Sequence, residues 1–290
     1  MTALKIKSIA ATLSAAVFMG TLGFFVREAG TQASVTTFFR FFVGLLLIGS
    51  IVIYNCYKHK TKLQFSLMSV VSGVSISLCI LFYFLAIQSI SIGLAAFTLY
   101  LGPVFAIIAE ALISRKFPSL LQLLIIALAF GGFILISSLG SIEFAQMDSG
   151  LVYALLSGVF YGGYILTNRL INHNITLSER VFWQFLAAIV TIGVTCLATG
   201  ASLDGIESGW GYLLIIGIVQ GFMVLMLTGY AIKHLSSIEF GSLSYVEPLV
   251  ALVLGFYLYD ESLTTSQIIG IILIILASVT QCFALNSNKQ

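Results

Sequence analysis

Apolar residues in this chain come in long runs rather than in alternation. Stretches of about 20 residues, the length that carries an α-helix across ~30 Å of hydrocarbon, recur ten times. They lie roughly over 7–27, 33–54, 66–88, 91–113, 119–139, 149–169, 178–199, 210–233, 237–259 and 264–285. The breaks between them are short and hold nearly all the Lys, Arg, Asp and His, with turn formers such as Gly140-Ser141 and Asp204-Gly205. The pattern predicts an all-α polytopic membrane protein of ten transmembrane helices without a soluble domain. The first run, behind Lys5 and Lys7, resembles a signal peptide in length. It continues through Phe24, Phe25 and Val26 with no small-residue cleavage site, and is read as the first helix.

Composition agrees: 59% of the 290 residues are hydrophobic and only 8% charged, too little polar surface to cover a water-soluble globule of that size. A net charge of +2 with no dense basic face excludes a nucleic-acid partner. Cys79, Cys196 and Cys282 lie inside apolar runs and Cys56 at the end of one, so neither a disulfide framework nor a metal site is indicated. No cofactor is expected. Basic residues then orient the chain. With the N-terminus cytoplasmic, the inner segments collect Lys5, Lys7, Lys58, Lys60, Lys62, Arg115, Lys116, Arg169, Arg180, Lys233 and Lys289, and the outer loops keep only Arg27. The expected location is the cell membrane, the inner one in a bacterium, with both termini cytoplasmic.

Sliding the chain by 145 positions lays Tyr100 over Tyr245, Pro103 over Pro248, Ala106 over Ala251 and Gln122 over Gln267. A slightly different offset sets Val17-Phe18-x-Gly20 over Val159-Phe160-x-Gly162. Five helices per copy is an odd number, so the second copy enters the membrane from the opposite face. The expectation is two inverted repeats, residues 1–145 and 146–290, around a central cavity. Arg115-Lys116 at the end of one copy against Asp260-Glu261 at the end of the other suits opposite faces.

Ser236-Ser237-Ile238-Glu239-Phe240-Gly241, then Tyr245-Val246-Glu247-Pro248-Leu249-Val250-Ala251, and the closing Asp260-Glu261 resemble the EamA-type transporters of the drug/metabolite transporter superfamily. The resemblance covers essentially the whole chain. It implies a ten-helix carrier moving small metabolites such as amino acids, often outward. Gly102 stands where the second copy has Glu247, which lodges any charge-based function in one half.

Glu247 falls within a residue of the middle of the ninth run, where an acidic side chain costs about 2.5 to 3.5 kcal/mol on insertion scales. Pro248 removes an amide and frees the carbonyl four residues earlier, that of Ser244. Both fit a polar cavity at mid-membrane, where the carboxyl can hold an amine or exchange a proton. The weaker alternative is a neutral Glu247 bonded to a neighbouring helix, with the proline only kinking its own. Tyr100, Tyr161, Gln220 and Tyr245 come within a few residues of the same depth, with Ser75 as the repeat mate of Gln220. These are candidate substrate contacts, because aromatic faces with one carboxylate suit an ammonium group; plain packing explains any single tyrosine as well. Arg40, some two turns from the outer end of its helix, is a gate, a carboxylate anchor or a snorkelling charge. Trp183 and Gln184 stand at the mirrored depth as the opposite gate, unless Trp183 is a simple belt residue. Pro103 and Pro248 are the expected hinges. Glu110 and Glu239 read as solvated or paired surface charges beside Arg115 and Lys233.

An intramembrane hydrolase would need a Ser-His pair, two aspartates or a metal cluster at depth. Here His59, His173 and His234 lie at cytoplasmic loops, Asp148, Asp204 and Asp260 fall outside, and no phosphate-binding loop occurs. The chain is expected to be a secondary carrier rather than an enzyme, working by alternating access as an exporter of amine-bearing metabolites. A channel, a facilitator or a receptor with the same cavity is the alternative. The expected partners are a small-molecule substrate, membrane lipid and protons as coupling ion; homodimerisation stays open.

Overall fold

The computed structural model describes residues 3–60, 62–87, 98–115, 118–136, 149–172, 174–259 and 264–287. Lys116, His173, Asp260, Glu261, the turn Gly140-Ser141 and the start of the fourth run (91–97) lie outside these. The described chain is helical throughout. Its elements are α1 (Ala3–Gly20), α2 (Leu22–Ala29), α3 (Ala33–His59), α4 (Leu67–Ile87), α5 (Gly102–Ser114), α6 (Leu120–Ile136), α7 (Ser149–Leu170) and α8 (Leu177–Thr199). They continue with α9 (Ile206–His234), α10 (Ser237–Ser244), α11 (Val246–Tyr259) and α12 (Thr265–Ser287). Five stretches are long and apolar enough to cross a membrane: Ala3–Val26, Ser34–His59, Ser149–Leu170, Leu177–Thr199 and Ile206–His234. Shorter apolar helices run over Leu67–Tyr83, Gly102–Ser114, Leu120–Gly132 and Ile268–Ala277.

The exterior is greasy, and the interior mixes apolar packing with buried polar side chains. Leu46, Ile53, Val190, Val194 and Leu197 point outward, while Ser69, Ser72, Ser157, Asn168, Gln184, Gln220 and Ser242 are fully buried. Water would not tolerate so apolar an exterior. Lipid tolerates it, because small and amide side chains join helices where the hydrophobic effect supplies no drive. Buried hydroxyls bond back along their own helices, as Thr12 does to the Ser8 carbonyl at 2.9 Å.

Among the described residues several predicted runs are interrupted, the fourth by a turn at Tyr100-Leu101 before α5. The first bends at Thr21, whose amide and hydroxyl both reach the Phe18 carbonyl. The ninth breaks at Tyr245 into α10 and α11. In α9 the segment Ile216–Met223 is a π-helix between two α-helical stretches. α10 opens with a capping box in which Ser236 Oγ accepts from the Glu239 amide and the Glu239 carboxylate accepts from the Ser236 amide. Thr176 and Glu179 do the same for α8.

α4 packs on α7 and α8, α3 on α8 and the π segment, α5 on α7, α1 on α11 and the last third of α9, and α6 lies beside α12. Close approaches recur in matched places. A Cβ on Gly20 would sit 2.8 Å from the Glu247 carbonyl, and one on Gly162 2.8 Å from the Gly102 carbonyl. A Cβ on Gly221 would collide with the Arg40 carbonyl, and one on Gly73 with that of Gln184. Pairs at nearly the same sequence spacing also meet: the Tyr245 hydroxyl donates to the Tyr100 carbonyl at 2.8 Å, and the rings of Phe41 and Phe185 lie 5.8 Å apart.

Replacing Gly73 or Gly221 by Ala is expected to destabilise the purified protein by about 1–3 kcal/mol through overpacking. Gly131→Ala, which meets nothing within 4 Å, should be neutral or slightly stabilising. Thermal unfolding in detergent checks both, and equal shifts would contradict the packing described. Ser236→Ala should cost about 1 kcal/mol by the same measurement through the lost cap.

Candidate functional site

The break between α10 and α11 follows from Pro248, the third residue of α11. A proline is tolerated in a first turn, where its missing amide would have no intrahelical partner. Pro103, buried, is likewise the second residue of α5. The expected kink inside one continuous ninth helix is therefore a true interruption: α10 ends at Ser244 and α11 starts at Val246. It sets Glu247 in the first turn of α11, where backbone amides favour a carboxylate.

Glu247 is half-buried and faces a cavity of about 60 Å³, enough for several waters at ~10–15 Å³ of such volume each. α1 supplies Thr12 and Met19 to its wall, α3 supplies Arg40, and α7 supplies Tyr161 and Tyr164. α9 contributes Thr228, and α10 Phe240 and Ser244. The Tyr100 hydroxyl donates to the Glu247 carboxyl from behind. Across the cavity Arg40, only 4% exposed, donates through Nε to the Gln220 carbonyl at 3.2 Å and through Nη2 to Met19 Sδ at 3.3 Å. One carboxylate and one guanidinium thus border the same small space without closing onto each other, an arrangement able to receive complementary groups of a ligand.

Of the residues expected from sequence, Glu247, Tyr161 and Arg40 meet in the wall, with Tyr100 bonded to the carboxylate. The others stand behind it. Tyr245 is fully buried, its ring 5.6 Å from that of Tyr100. Gln220, also fully buried, donates to Thr21 Oγ1 at 3.0 Å and holds Arg40 through its main chain. Ser75 bonds back to the Val71 carbonyl at 2.8 Å. Trp183 donates to the Gln64 carbonyl at 2.8 Å and packs edge-on against Phe65 near the capped end of α8. Gln184 lies in a buried amide cluster, donating to Ser72 Oγ at 3.0 Å and Asn168 Oδ1 at 2.9 Å. Gly102, the repeat mate of Glu247, has no room for a carboxylate, since its Cβ would lie 2.6 Å from the Tyr161 ring.

Sequence reading missed Thr12, Met19, Tyr164 and Thr228 in the wall. All four sit in apolar runs with no charge to mark them, and only the packing of α1, α7 and α9 gathers them. Glu110 and Glu239 are paired as expected, but with unexpected partners. Arg169 Nη2 lies 2.7 Å from Glu110 and Lys5 Nζ 3.2 Å from Glu239, tying together elements distant in sequence. Among the described residues no group of three or more His, Cys, Asp and Glu could hold a metal.

Known proteins place this architecture. The EamA-like transporter family model matches twice, over residues 6–138 and 148–280. An uncharacterized transporter from Archaeoglobus fulgidus is 26% identical over 262 residues, covering 90% of this chain and 91% of that protein. The threonine/homoserine exporter RhtA of Escherichia coli K12 is 25% identical over 224 residues, covering 75% and 72%. The RhtA of Salmonella typhimurium LT2 is 26% identical over 212 residues, covering 72% and 68%. A crystal structure superposes with a TM-score of 0.80 over 96% of this chain and 98% of that one, at 15% identity, a likeness of fold. Two family matches that together take in nearly every residue, on a helical body with a greasy exterior and polar side chains buried within, lead to one conclusion: the chain belongs to the EamA-like transporter family.

Proposed function

We propose that this transporter is a secondary carrier that exports small amine-bearing metabolites, amino acids among them, across the cell membrane by alternating access. Residues 1–145 and 146–290 form two inverted five-helix repeats totalling ten spans, with both termini cytoplasmic. The twofold family match supports the repeats, as do the matched approaches of Gly20 to Glu247 and of Gly162 to Gly102. Relatives named as threonine/homoserine exporters support the substrate class and direction.

One observation carries the reading: the half-buried Glu247 carboxylate on the wall of an interior cavity, opposite Arg40. A carboxylate at depth costs too much to be kept in hydrocarbon, and here it looks into a space that admits water. Glu247 binds the substrate's ammonium group or, between substrates, a proton. Tyr161 flanks the bound cation, Tyr100 steadies the carboxylate, and Arg40 anchors or gates from α3. Tyr245, Gln220 and Ser75 hold these groups in place. Trp183 and Gln184 close the opposite end, and Pro103 and Pro248 mark where each half flexes. The cavity as it stands is smaller than an amino acid needs, so loading requires the halves to part.

Glu247→Gln in proteoliposomes should slow uptake of labelled amino acids by about 10- to 100-fold, the loss of one charge-assisted bond. It should also flatten the dependence of uptake on pH between about 5 and 8, with folding intact by size exclusion. Wild-type rates and an unchanged pH profile would reject the role. Saturable exchange of labelled for unlabelled substrate should accompany wild-type activity; a channel would show none.

A further inference from the structure

A second cavity, of about 460 Å³ against about 60 Å³ at Glu247, lies between Glu110 and Ser114 of α5, Gln122 of α6, Arg169 of α7 and Ser236 at the head of α10. It shares two elements with the first. Tyr161 and Ser244 border the Glu247 cavity; Arg169 and Ser236, each eight positions away along the same elements, border this one. At 1.5 Å per residue that is a step of about 12 Å. Arg169 Nη1 donates to the Leu235 carbonyl just ahead of α10, so both steps run toward the same end of the molecule. α1 begins at that end too, since Lys5 meets Glu239 there at 3.2 Å. An ion pair stands in the cavity wall: Arg169 Nη2 lies 2.7 Å from the Glu110 carboxylate. Each of these side chains is 27% exposed, so both charges can be reached from the cavity. A partly exposed pair of this kind holds weakly. Glu110 belongs to residues 1–145 and Arg169 to residues 146–290, and nothing assigned to the Glu247 cavity uses either.

We propose that this cavity is a loading station for a zwitterionic amino acid at the cytoplasmic end, where the cargo turns its carboxylate to Arg169 and its ammonium group to Glu110. The proposal rests on the carrier reading above and adds a second site, met before Glu247. Size permits it, because about 460 Å³ falls within the roughly 300–1,000 Å³ of small-molecule sites, which the Glu247 cavity does not approach. Charge selects the occupant. An anion alone would satisfy Arg169 and strand Glu110, and a cation alone would do the reverse; a zwitterion gives each a new partner. Two charged groups 2.7 Å apart leave no room between them, so the cargo enters only as they separate. They stand in different halves. Occupancy therefore favours the state in which those halves have parted at this end, the opening that the smaller cavity needs before it can be loaded.

Glycine, the smallest amino acid with both charges, is the probe, with sodium acetate and methylammonium chloride as single-charge controls. Ser114→Cys places a thiol on the cavity wall, and Glu247→Gln in the same protein removes the charge of the central site. Maleimide labelling at the introduced thiol is read by peptide mass, which separates it from the four native cysteines. Glycine should slow that labelling saturably, by at least about threefold, and neither control should. The half-protecting concentration should rise at least about tenfold when Glu110→Gln or Arg169→Gln is added. The exchanged pair, Glu110→Arg with Arg169→Glu, offers the same charges in reverse and should keep the protection. No protection by glycine, equal protection by acetate or methylammonium, or protection unchanged in both neutralised variants overturns the station. Counterflow of labelled L-amino acids through the wild type keeps the two readings apart. Saturable exchange without glycine protection overturns the station and leaves the carrier standing. Protection without saturable exchange overturns the carrier reading, and the loading role with it, and leaves a zwitterion site.

Discussion

Hydrocarbon offers no partner to a polar group, and that single constraint orders this structure from the backbone outward. Main-chain amides and carbonyls must be consumed within helices. Where a helix stops inside the protein, something must take up what is released. At Thr21 the side chain bonds the Phe18 carbonyl, and at Tyr245 a proline in the following first turn removes an amide that would otherwise need an acceptor. The same rule acts on side chains. Asn168, Gln184 and Ser72 bond one another in a knot between α4, α7 and α8, which leaves Gln184 Oε1 without a partner. Glu247 and Arg40 are tolerated because they share a cavity with room for water. Polar chemistry is confined to the few places where helices are interrupted or where glycine lets them touch.

How much of this is legible in the sequence depends on how local its cause is. The positions of the helices follow from runs of apolar residues, and the observed ends fall close to the predicted ones, as for Ser149–Leu170 and Leu177–Thr199. Glu247 and Pro248 announce themselves because each is costly where it stands. The companions of Glu247 do not. Met19, Thr12 and Thr228 are ordinary residues in a membrane helix, and nothing in their neighbourhood reveals that α1 and α9 turn them toward a carboxylate on α11. Arg180 carries a charge in plain view, but its sequence context at a helix start reads as an interfacial basic residue. Only tertiary structure buries it: its guanidinium reaches the Asn168 carbonyl of α7 and its stem lies near Gly229 of α9.

Interruptions are the least legible layer. Thr21 ends α1 without a proline or a charge. The Ser236 and Thr176 caps are written as Ser-x-x-Glu and Thr-x-x-Glu, a local signal that marks helix starts. The partners of Glu110 and Glu239 escaped a reading confined to sequence neighbours, because Arg169 and Lys5 arrive from other helices. Ion pairs of this kind are set by tertiary structure alone.

The wide turns of Ile216–Met223 have an effect some way downstream. An α-helix advances about 100° per residue, so accommodating one extra residue in a wide turn rotates all that follows by about that angle. Val224, Leu225 and Thr228, in the stretch beyond, border the cavity. On a regular helix of the same sequence they would look toward a neighbouring helix or the membrane. The cavity wall on that side is thus owed to a local overcount in the winding of one helix, a feature that composition and hydropathy are blind to.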